Sequence, residues 1–312
     1  MGTVSGIDTD KLSLGVDFSH WDGNIPGEVF KCFDYAWVKA CDGDQLRPGD
    51  PYDYTNYVDI DFRNNVQKCW DADIPCGIYV YIVPNFPGYT MDSIIQLHYK
   101  ALKAATKGLI AGKSYHAIAL DVEELKRGQT DTNWQKIVKG LTDLIYTDPE
   151  YAPVRKGVIY SRMGGVLANL PALLDEISNK NVLEKYHMWM AQWVWGADEK
   201  HPAIVTTWEE LKNKYIASLN MKVITPGFQT WDFVQWSAAF KIPPTTFVYD
   251  LNFFHGDKAA CWNWFGYKAR GVVVTPDPEP EPAPEGDYVT HAEFDSFLAE
   301  YAQHTHGTPK KE

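Results

Sequence analysis

The sequence lacks several features that would assign it to a broad class. No apolar run approaches the roughly 18–20 residues of a membrane-spanning helix, so we expect no membrane span. Basic residues are few, with 29 Lys and Arg against 41 Asp and Glu and a net charge of −12, which argues against nucleic acid as a partner. The N-terminal stretch MGTVSGIDTDKLSLG has neither the basic nor the apolar segment of a secretory signal peptide. We therefore expect synthesis in a cytoplasm without export by a leader of its own.

Cysteine is scarce and shows no metal-binding or redox spacing. The chain has five cysteines, an odd number, and no C-x-x-C. This composition predicts buried free thiols in a protein made in a reducing compartment, and nothing in the spacing requires the one disulfide that would be the alternative.

Proline and acidic residues accumulate near the C-terminus. The stretch TPDPEPEPAPEGD at 275–287 cannot pack a core, and its prolines favour an extended, semi-rigid spacer. From Gly271 to Glu312 the chain has nine acidic and two basic residues. We divide the chain into an N-terminal extension (1–12), a main domain (13–270), a Pro/Glu-rich linker (271–287) and a short helical tail (288–312).

Short apolar strands alternate with amphipathic helical patterns along the main domain, as in repeated βα units. Helical spacing predicts helices over 62–70, 92–105 and 133–146, with one further candidate near 206–218 and only a loop between the last two strands. The predicted strands are 14–19, 35–40, 77–82, 116–122, 157–161, 187–192, 231–236 and 246–250. This pattern predicts an α/β fold, a modified TIM-like (β/α) barrel with eight strands and missing helices in the last third.

Carboxylates stand at the ends of several predicted strands. In HAIALDVEELKRG, alternation along a strand places Asp121 and Glu123 on one side and leaves Glu124 pointing outward. Asp17 and Asp250 occupy similar places on the first and last strands. A single acid at a strand end is more often a turn or cap residue, but four that converge on a barrel mouth predict a catalytic site with at least one raised pKa. A metal site is the less favoured alternative.

Aromatic residues suggest the class of substrate. All 12 Trp precede the linker, and most are expected in the core. Some of them near strand ends offer flat platforms for sugar rings, which would suit a neutral or amino-sugar polymer. The candidate substrate contacts are Trp21, Tyr79, Tyr81, Tyr160, Trp189, Gln192, Trp193 and Trp236.

Six short motifs in order resemble one known family. They are GVDFSHWDG, VKACDGD, LDVE, WMAQW, FVQWSAAF and YDLNFFHGD, and over roughly residues 13–260 they resemble the Chalaropsis-type lysozymes, glycoside hydrolase family 25, which are widespread in bacteria and in phage endolysins. The chain departs from the family pattern at Trp21-Asp22, at Cys41-Asp42 and in YVYIVPNF.

The resemblance implies an activity and roles for the acids. It implies a modified barrel that cleaves the β-1,4 bond between N-acetylmuramic acid and N-acetylglucosamine in peptidoglycan without a cofactor. Glu123 matches the general acid, and Asp121 matches the partner that steadies the substrate's own N-acetyl group as it attacks. Asp17 and Asp250 match acids that line the site. An endolysin-like enzyme would be made in the host cytoplasm and reach the wall after lysis or as part of a virion.

The tail has a pattern of its own. Thr290 and Glu293 form a capping-box pattern, followed by an apolar helical face too short to be stable alone. His304 and His306 in HTHG resemble the H-x-H runs of trimeric phage tail proteins, in which three copies surround iron or a similar ion. This predicts a homotrimer or docking onto a phage tail or baseplate protein, and the alternative is a disordered end.

Two rival functions use the same fold. A barrel that binds peptidoglycan without cutting it would serve as a structural component of a phage tail, although the complete set of acids argues against this. A chitinase-like barrel would carry D-x-x-D-x-D-x-E on one strand, but this chain has Ala117 and Ala119 at the alternate positions before Asp121.

Overall fold

A computed structural model describes most of the main domain. The described residues are 12–42, 57–84, 86, 88–123, 130–162, 169–178, 186–191, 203–204, 232–241 and 248–269. The tail with His304 and His306, the linker and nearly all of the N-terminal extension lie outside them, as does the predicted helix near 206–218.

The nine strands within the described residues form one sheet that closes into a barrel. They are β1 (Ser13–Phe18), β2 (Tyr35–Asp42), β3 (Cys76–Tyr81), β4 (Ala117–Val122), β5 (Arg155–Arg162), β6 (His187–Ala191), β7 (Ala203–Ile204), β8 (Phe233–Lys241) and β9 (Val248–Phe254). Strands β1 to β6 lie side by side in chain order and parallel, and β6–β8 pairing closes the sheet. The two-residue β7 pairs with the far end of β8 outside this ring. The predicted eight-stranded α/β barrel is therefore confirmed, with β7 as a short addition.

The last two barrel strands form an antiparallel pair. Strand β9 runs antiparallel to both β8 and β1, whereas β8 runs parallel to β6. An antiparallel pair needs no crossover helix, because the chain reverses direction in a short connection. This explains why the sequence shows no helical pattern between the last two predicted strands.

Helices cover the outer face of the barrel where the sequence predicts them. The described helices are α1 (Gly27–Phe30), α2 (Phe62–Asp71), α3 (Met91–Thr106), α4 (Asp131–Thr147), α5 (Pro171–Ser178) and α6 (Lys258–Trp264). Threonine caps begin the two longest: Thr90 accepts a hydrogen bond from the Ser93 N–H, and Thr130 accepts one from the Asn133 N–H. No helix among the residues described is long and apolar enough to cross a membrane.

Strand alternation separates two hydrophobic cores. Residues such as Val16, Val38 and Leu120 face the helices in a large outer core, and the barrel interior holds a smaller core rich in aromatic rings. Glycine makes room for those rings: a Cβ on Gly77 would lie 2.3 Å from Trp37 Cε3. The outer core fixes the helices, and the inner core forms a floor beneath the open end of the barrel.

The cysteines are free thiols. Cys41, Cys69, Cys76 and Cys261 are buried, whereas Cys32 is only half-buried. None forms a disulfide, as predicted, and the prediction of burial fails only for Cys32, which lies just after α1 at the edge of the outer core.

Candidate active site

The structure brings the predicted acids to the same end of the barrel. Asp17 lies near the C-terminal end of β1, Asp121 near the C-terminal end of β4, and Glu123 directly after β4. Asp17 and Asp250 are direct partners in the β1–β9 pairing. Asp17, Asp121 and Glu123 thus come from the carboxyl ends of parallel strands, which is where barrel enzymes place their chemistry.

Asp250 reaches this end by a different route from the one predicted. The sequence predicts Asp250 at the C-terminal end of its strand, and this detail is wrong because β9 continues to Phe254. Since β9 runs antiparallel to β1, its N-terminal half lies at the open end of the barrel. Asp250, the third residue of β9, therefore joins the acids from the start of a strand.

Asp17 is held by two amide side chains from the antiparallel pair. Asn252 Nδ2 donates a hydrogen bond of 2.6 Å to Asp17 Oδ2, and Gln235 Nε2 donates one of 2.9 Å to the same oxygen. Gln235 Nε2 also lies 3.3 Å from Asp250 Oδ2. One amide group thus links the two carboxyl groups.

Ring residues fix those amides in turn. Tyr160 donates its hydroxyl hydrogen to Gln235 Oε1 at 2.6 Å, and Trp189 Nε1 donates to Asn252 Oδ1 at 2.7 Å. With their oxygens occupied, both amides must direct their NH2 groups toward the carboxyl groups. Sequence analysis assigned no role to Gln235 and Asn252, although an inward polar position on a strand that otherwise buries apolar residues was an available signal.

Burial is the largest influence on the pKa values of Asp17 and Asp250. It raises the pKa of Asp17 from 3.8 to about 7, against the lowering effect of the Gln235 and Asn252 hydrogen bonds. Burial is also the largest cause that raises the pKa of Asp250 well above its ordinary value, followed by the charge of Asp17. Two carboxyl groups that share one amide donor in a poorly solvated place cannot both ionise readily, so the pair retains a proton near neutral pH.

Asp121 has one carboxyl oxygen whose hydrogen bonding is incomplete among the described residues. Its Oδ1 is buried and has no hydrogen-bond partner among the described residues, an arrangement that is costly unless something else supplies a donor. Burial first, and then the charge of Glu123, raises the pKa of Asp121 well above its ordinary value, while the charge of Lys39 lowers it. The net effect favours the protonated form of the Asp121 carboxyl group, and Lys39 opposes it.

Lys39 is a buried cation at this end of the barrel that sequence analysis did not single out. Its Nζ lies 3.2 Å from Asp42 Oδ2 and 5.1 Å from the centroid of the Tyr81 ring. Only 7% of the residue is exposed. It is an inward residue of β2, and a lone Lys within an apolar strand was the signal that could have found it. Lys39 partly neutralises a site that otherwise gathers acids.

A second group of polar residues follows β1. The Ser19 N–H donates to Asp22 Oδ2 at 2.8 Å, and burial raises the pKa of Asp22 to about 6. His20 Nδ1 lies 2.7 Å from the oxygen Oδ2 of buried Asp59. The charge of Asp22 also raises the pKa of Asp17, so this group belongs to the same electrostatic environment.

The predicted substrate-contact residues separate into three groups. Tyr79 and Tyr160 are buried beneath the acids, whose charges add to burial in raising both phenol pKa values well above the ordinary value. Tyr81 is half-buried beside Lys39, and Trp21 is 79% exposed after β1. The third group cannot be placed: Gln192 and Trp193 are not among the described residues, and only the backbone of Trp236 is described.

Trp189 does not have the place predicted for it. The sequence predicts a flat platform for sugar, but Trp189 is 1% exposed and stacks on Trp37 with ring centroids 4.8 Å apart. It supports the site from below through Asn252. Its inward position on β6 places it in the aromatic interior rather than on the rim.

Metal ligands do not gather within the described part of the chain. There, no three side chains of His, Cys, Asp or Glu are arranged to hold a metal ion. The predicted metal ligands His304 and His306 lie outside that part.

Solved structures share this fold, although the sequence matches no family model and no curated protein. No protein-family model matches the chain, and no curated protein matches it. Its structure is similar to the bacterial lysozyme from Streptomyces coelicolor, with 21% identity and a TM-score of 0.54 over 82% of this chain and 98% of that chain. It is similar to a family 25 glycosyl hydrolase from Bacillus anthracis, with 14% identity and a TM-score of 0.54 over 82% of this chain and 95% of that chain.

A third similar structure comes from another bacterium. A glycosyl hydrolase 25 of Streptococcus pneumoniae matches with 13% identity and a TM-score of 0.51 over 81% of this chain and 92% of that chain. All three alignments cover nearly the whole of the solved protein and most of this chain. The main domain therefore has the fold of the bacterial lysozymes and family 25 glycosyl hydrolases, as the sequence motifs implied.

Proposed function

We propose that this protein is a peptidoglycan hydrolase, an N-acetylmuramidase that cleaves the β-1,4 bond between N-acetylmuramic acid and N-acetylglucosamine. The observation that carries the proposal is the set of carboxyl groups at the open end of a lysozyme-like barrel. Asp17 and Asp121 are buried, whereas Asp250 and Glu123 are half-buried. The pKa values of the three Asp residues are raised, and the charge of Glu123 contributes to each shift. Glycoside hydrolysis needs a protonated carboxyl group beside an ionised one.

Glu123 acts as the general acid. It stands directly after β4, where a glycan lying across the barrel mouth can reach it. It donates its proton to the glycosidic oxygen as the bond from that oxygen to C1 breaks. The 2-acetamido oxygen of the sugar that contains C1 attacks this carbon. A new C1–O bond thus replaces the glycosidic bond without a protein nucleophile. Water then attacks C1 and displaces the acetamido oxygen, which restores the acetamido group, and the Glu123 carboxylate takes the proton that the water loses.

Asp121 steadies the acetamido group during this attack. Its Oδ1 has no hydrogen-bond partner among the described residues and, once turned toward the substrate, accepts a hydrogen bond from the acetamido N–H. Positive charge develops on that group as its oxygen bonds to C1, and an ionised Asp121 stabilises it. Because Asp121 and Glu123 repel each other when both are ionised, one proton on Glu123 and one negative charge on Asp121 is the arrangement that the developing charge favours.

The remaining acids and rings shape the site. Asp17 and Asp250 share an amide donor and retain a proton, which limits the negative charge beneath the substrate. Trp21 offers an exposed ring on the rim for a sugar face. The part of the proposal that concerns phage rests on sequence alone: the enzyme is made in the host cytoplasm and acts on the wall after lysis or from a virion.

The test is the release of reducing ends from purified peptidoglycan by the full chain. Reduction with borohydride followed by mass spectrometry identifies the sugar at each new end, and muramitol is the expected product. Glu123→Gln should lower the rate by roughly 10²–10⁴-fold, the usual contribution of a general acid. The matched control is Glu28→Gln on exposed α1 surface, which should retain the parent rate.

Three results would contradict the proposal in different ways. Reducing ends that carry glucosaminitol would show cleavage of the other glycosidic bond. Full activity of Glu123→Gln would remove Glu123 as the general acid. Tight binding to insoluble peptidoglycan with no released ends would favour a structural wall-binding component of a phage tail.

A further inference from the structure

A cavity at the opposite end of the barrel has the chemistry of a second binding site. It has a volume of about 360 Å³ and lies where β5 and β6 begin and α6 ends. Arg155, the first residue of β5, lines it, whereas Tyr160, farther along the same strand, lies beneath the acids. At about 3.3 Å per residue these two positions are roughly 16 Å apart. The cavity is thus separate from the candidate active site.

The charge of this cavity is opposite to that of the chain. Among the described residues, its lining includes no carboxylate, and the polar and aromatic side chains are those of Tyr146, Arg155, Lys156, His187, Asn263, Trp264 and Phe265. The whole chain has a net charge of −12. A pocket lined by an Arg and a Lys in such a chain favours an anionic ligand.

Arg155 is held with part of its guanidinium group unused. Its Nε donates to the Trp264 carbonyl oxygen at 2.8 Å, and its carbon Cζ lies 4.8 Å from the centroid of the Trp264 ring. Its Nη1 lies 3.3 Å from His187 Nε2. Nη2 has no hydrogen-bond partner among the described residues. Arg carries five donors in a planar fork that suits oxyanions, so an oxyanion can bind here without breaking existing contacts.

The histidine beside Arg155 lies between the guanidinium group and a carboxylate. His187 Nε2 lies 3.3 Å from Arg155 Nη1, and His187 Nδ1 lies 3.4 Å from Asp232 Oδ2. Asp232 Oδ1 accepts from Trp264 Nε1 at 3.1 Å. Asp232 therefore orients the two rings from behind the cavity and is already engaged by both.

Aromatic rings next to the cations provide a surface for a sugar or polyol. Lys156 Nζ lies 5.2 Å from the centroid of the Tyr146 ring, and Tyr146 is 37% exposed. Trp264, which also lines the cavity, is half-buried. A volume of about 360 Å³ exceeds the needs of a bare phosphate ion, which leaves room for a carbon skeleton against the rings.

We propose that this cavity binds an oxyanion carried on a sugar or polyol, with the oxyanion between Arg155 and Lys156 and the carbon skeleton against Trp264. Phosphate-linked polyols and uronic acids share this chemistry. The site is independent of the proposed glycosidase activity, because its ligand binds at the end of the barrel away from the acids.

The test is a titration of the full chain by saturation-transfer NMR at low ionic strength, with four probes. These are glycerol 3-phosphate, glucuronate, inorganic phosphate and glucose. We expect saturable binding of glycerol 3-phosphate or glucuronate that is at least about tenfold tighter than binding of inorganic phosphate or glucose, and the tighter of the first two identifies the source of the oxyanion. Added salt should weaken the binding.

Variants locate the site. Lys156→Gln and Arg155→Gln should each weaken binding at least about tenfold, and Lys113→Gln, an exposed lysine elsewhere, should not. Arg155 bonds to the Trp264 carbonyl oxygen, whereas Lys156 lies against the Tyr146 ring, so the Lys156 variant should fold even if Arg155→Gln does not. Thermal melting checks both. Equal binding of inorganic phosphate, or unchanged binding by Lys156→Gln, would overturn the proposal. Loss of glycan cleavage with binding retained would contradict only the proposed enzyme.

Discussion

Replacing Asp17 by Asn should make the protein more stable at neutral and alkaline pH. The folded state raises the pKa of Asp17 from 3.8 to about 7, so between these values it binds more protons than the unfolded state does. Stability therefore falls as pH rises through this range. At about 1.36 kcal/mol per pKa unit, ionisation of Asp17 costs the folded state roughly 4 kcal/mol at pH 8 and roughly 2 kcal/mol at pH 5.

Asparagine removes this cost while keeping the local contacts. Its side-chain oxygen can still accept from Asn252 Nδ2, and its NH2 group can donate to Asp250. The parent should lose about 2–3 kcal/mol more of its free energy of unfolding between pH 5 and pH 8 than Asp17→Asn does. Urea denaturation of both proteins at several pH values measures the difference.

The exposed Asp175 on α5 provides the control. Asp175→Asn should follow the parent at every pH. Parallel stability curves for the parent and Asp17→Asn between pH 5 and pH 8 would refute the reasoning, because Asp17 would then ionise in the folded state as easily as in water. A variant that is less stable than the parent throughout would show that the charge-assisted hydrogen bonds outweigh burial.

Two further changes test the barrel interior and the cation near the acids. Gly77→Ala places a Cβ 2.3 Å from the Trp37 ring and should lower the free energy of unfolding by about 1–3 kcal/mol, whereas Gly27→Ala, with nothing within 4 Å, should change it little in urea denaturation. Lys39→Gln removes a charge that lowers the pKa of Asp121, so the acidic limb of the pH profile of kcat/KM should move to higher pH. Lys39→Arg keeps the charge and should leave the limb at the position of the parent. A limb that does not move in Lys39→Gln would show that Lys39 does not act on catalysis.

The sequence predicted the parts of the fold that depend on local pattern. Alternation of apolar residues located all eight barrel strands within a few residues, and helical spacing located α2, α3 and α4. The same alternation placed Asp121 and Glu123 together. These features follow from side-chain periodicity, which a single segment carries by itself.

Features that depend on pairing between distant strands were not predicted. The direction of β9 is set by its hydrogen bonds to β1 and β8, and nothing within residues 248–254 encodes it. The roles of Gln235 and Asn252 follow from that direction, because only an antiparallel β9 brings Asn252 next to Asp17. The place of Trp189 could not be predicted either, because an aromatic ring is equally suited to binding a sugar face and to packing in a core. Its stacking on Trp37 inside the barrel shows that it belongs to the core.

The filled interior of the barrel restricts how a polymer can be engaged. Trp37, Trp189 and Phe233 pack against one another below the acids, with Trp37 and Phe233 ring centroids 5.4 Å apart, so the cleft ends at a solid base. A glycan strand cannot pass through such a barrel. It must lie across the open end, and both ends of the strand then extend beyond the barrel. The enzyme we propose should therefore cut within long strands and need no free chain end, so that fragment lengths early in digestion are broadly distributed.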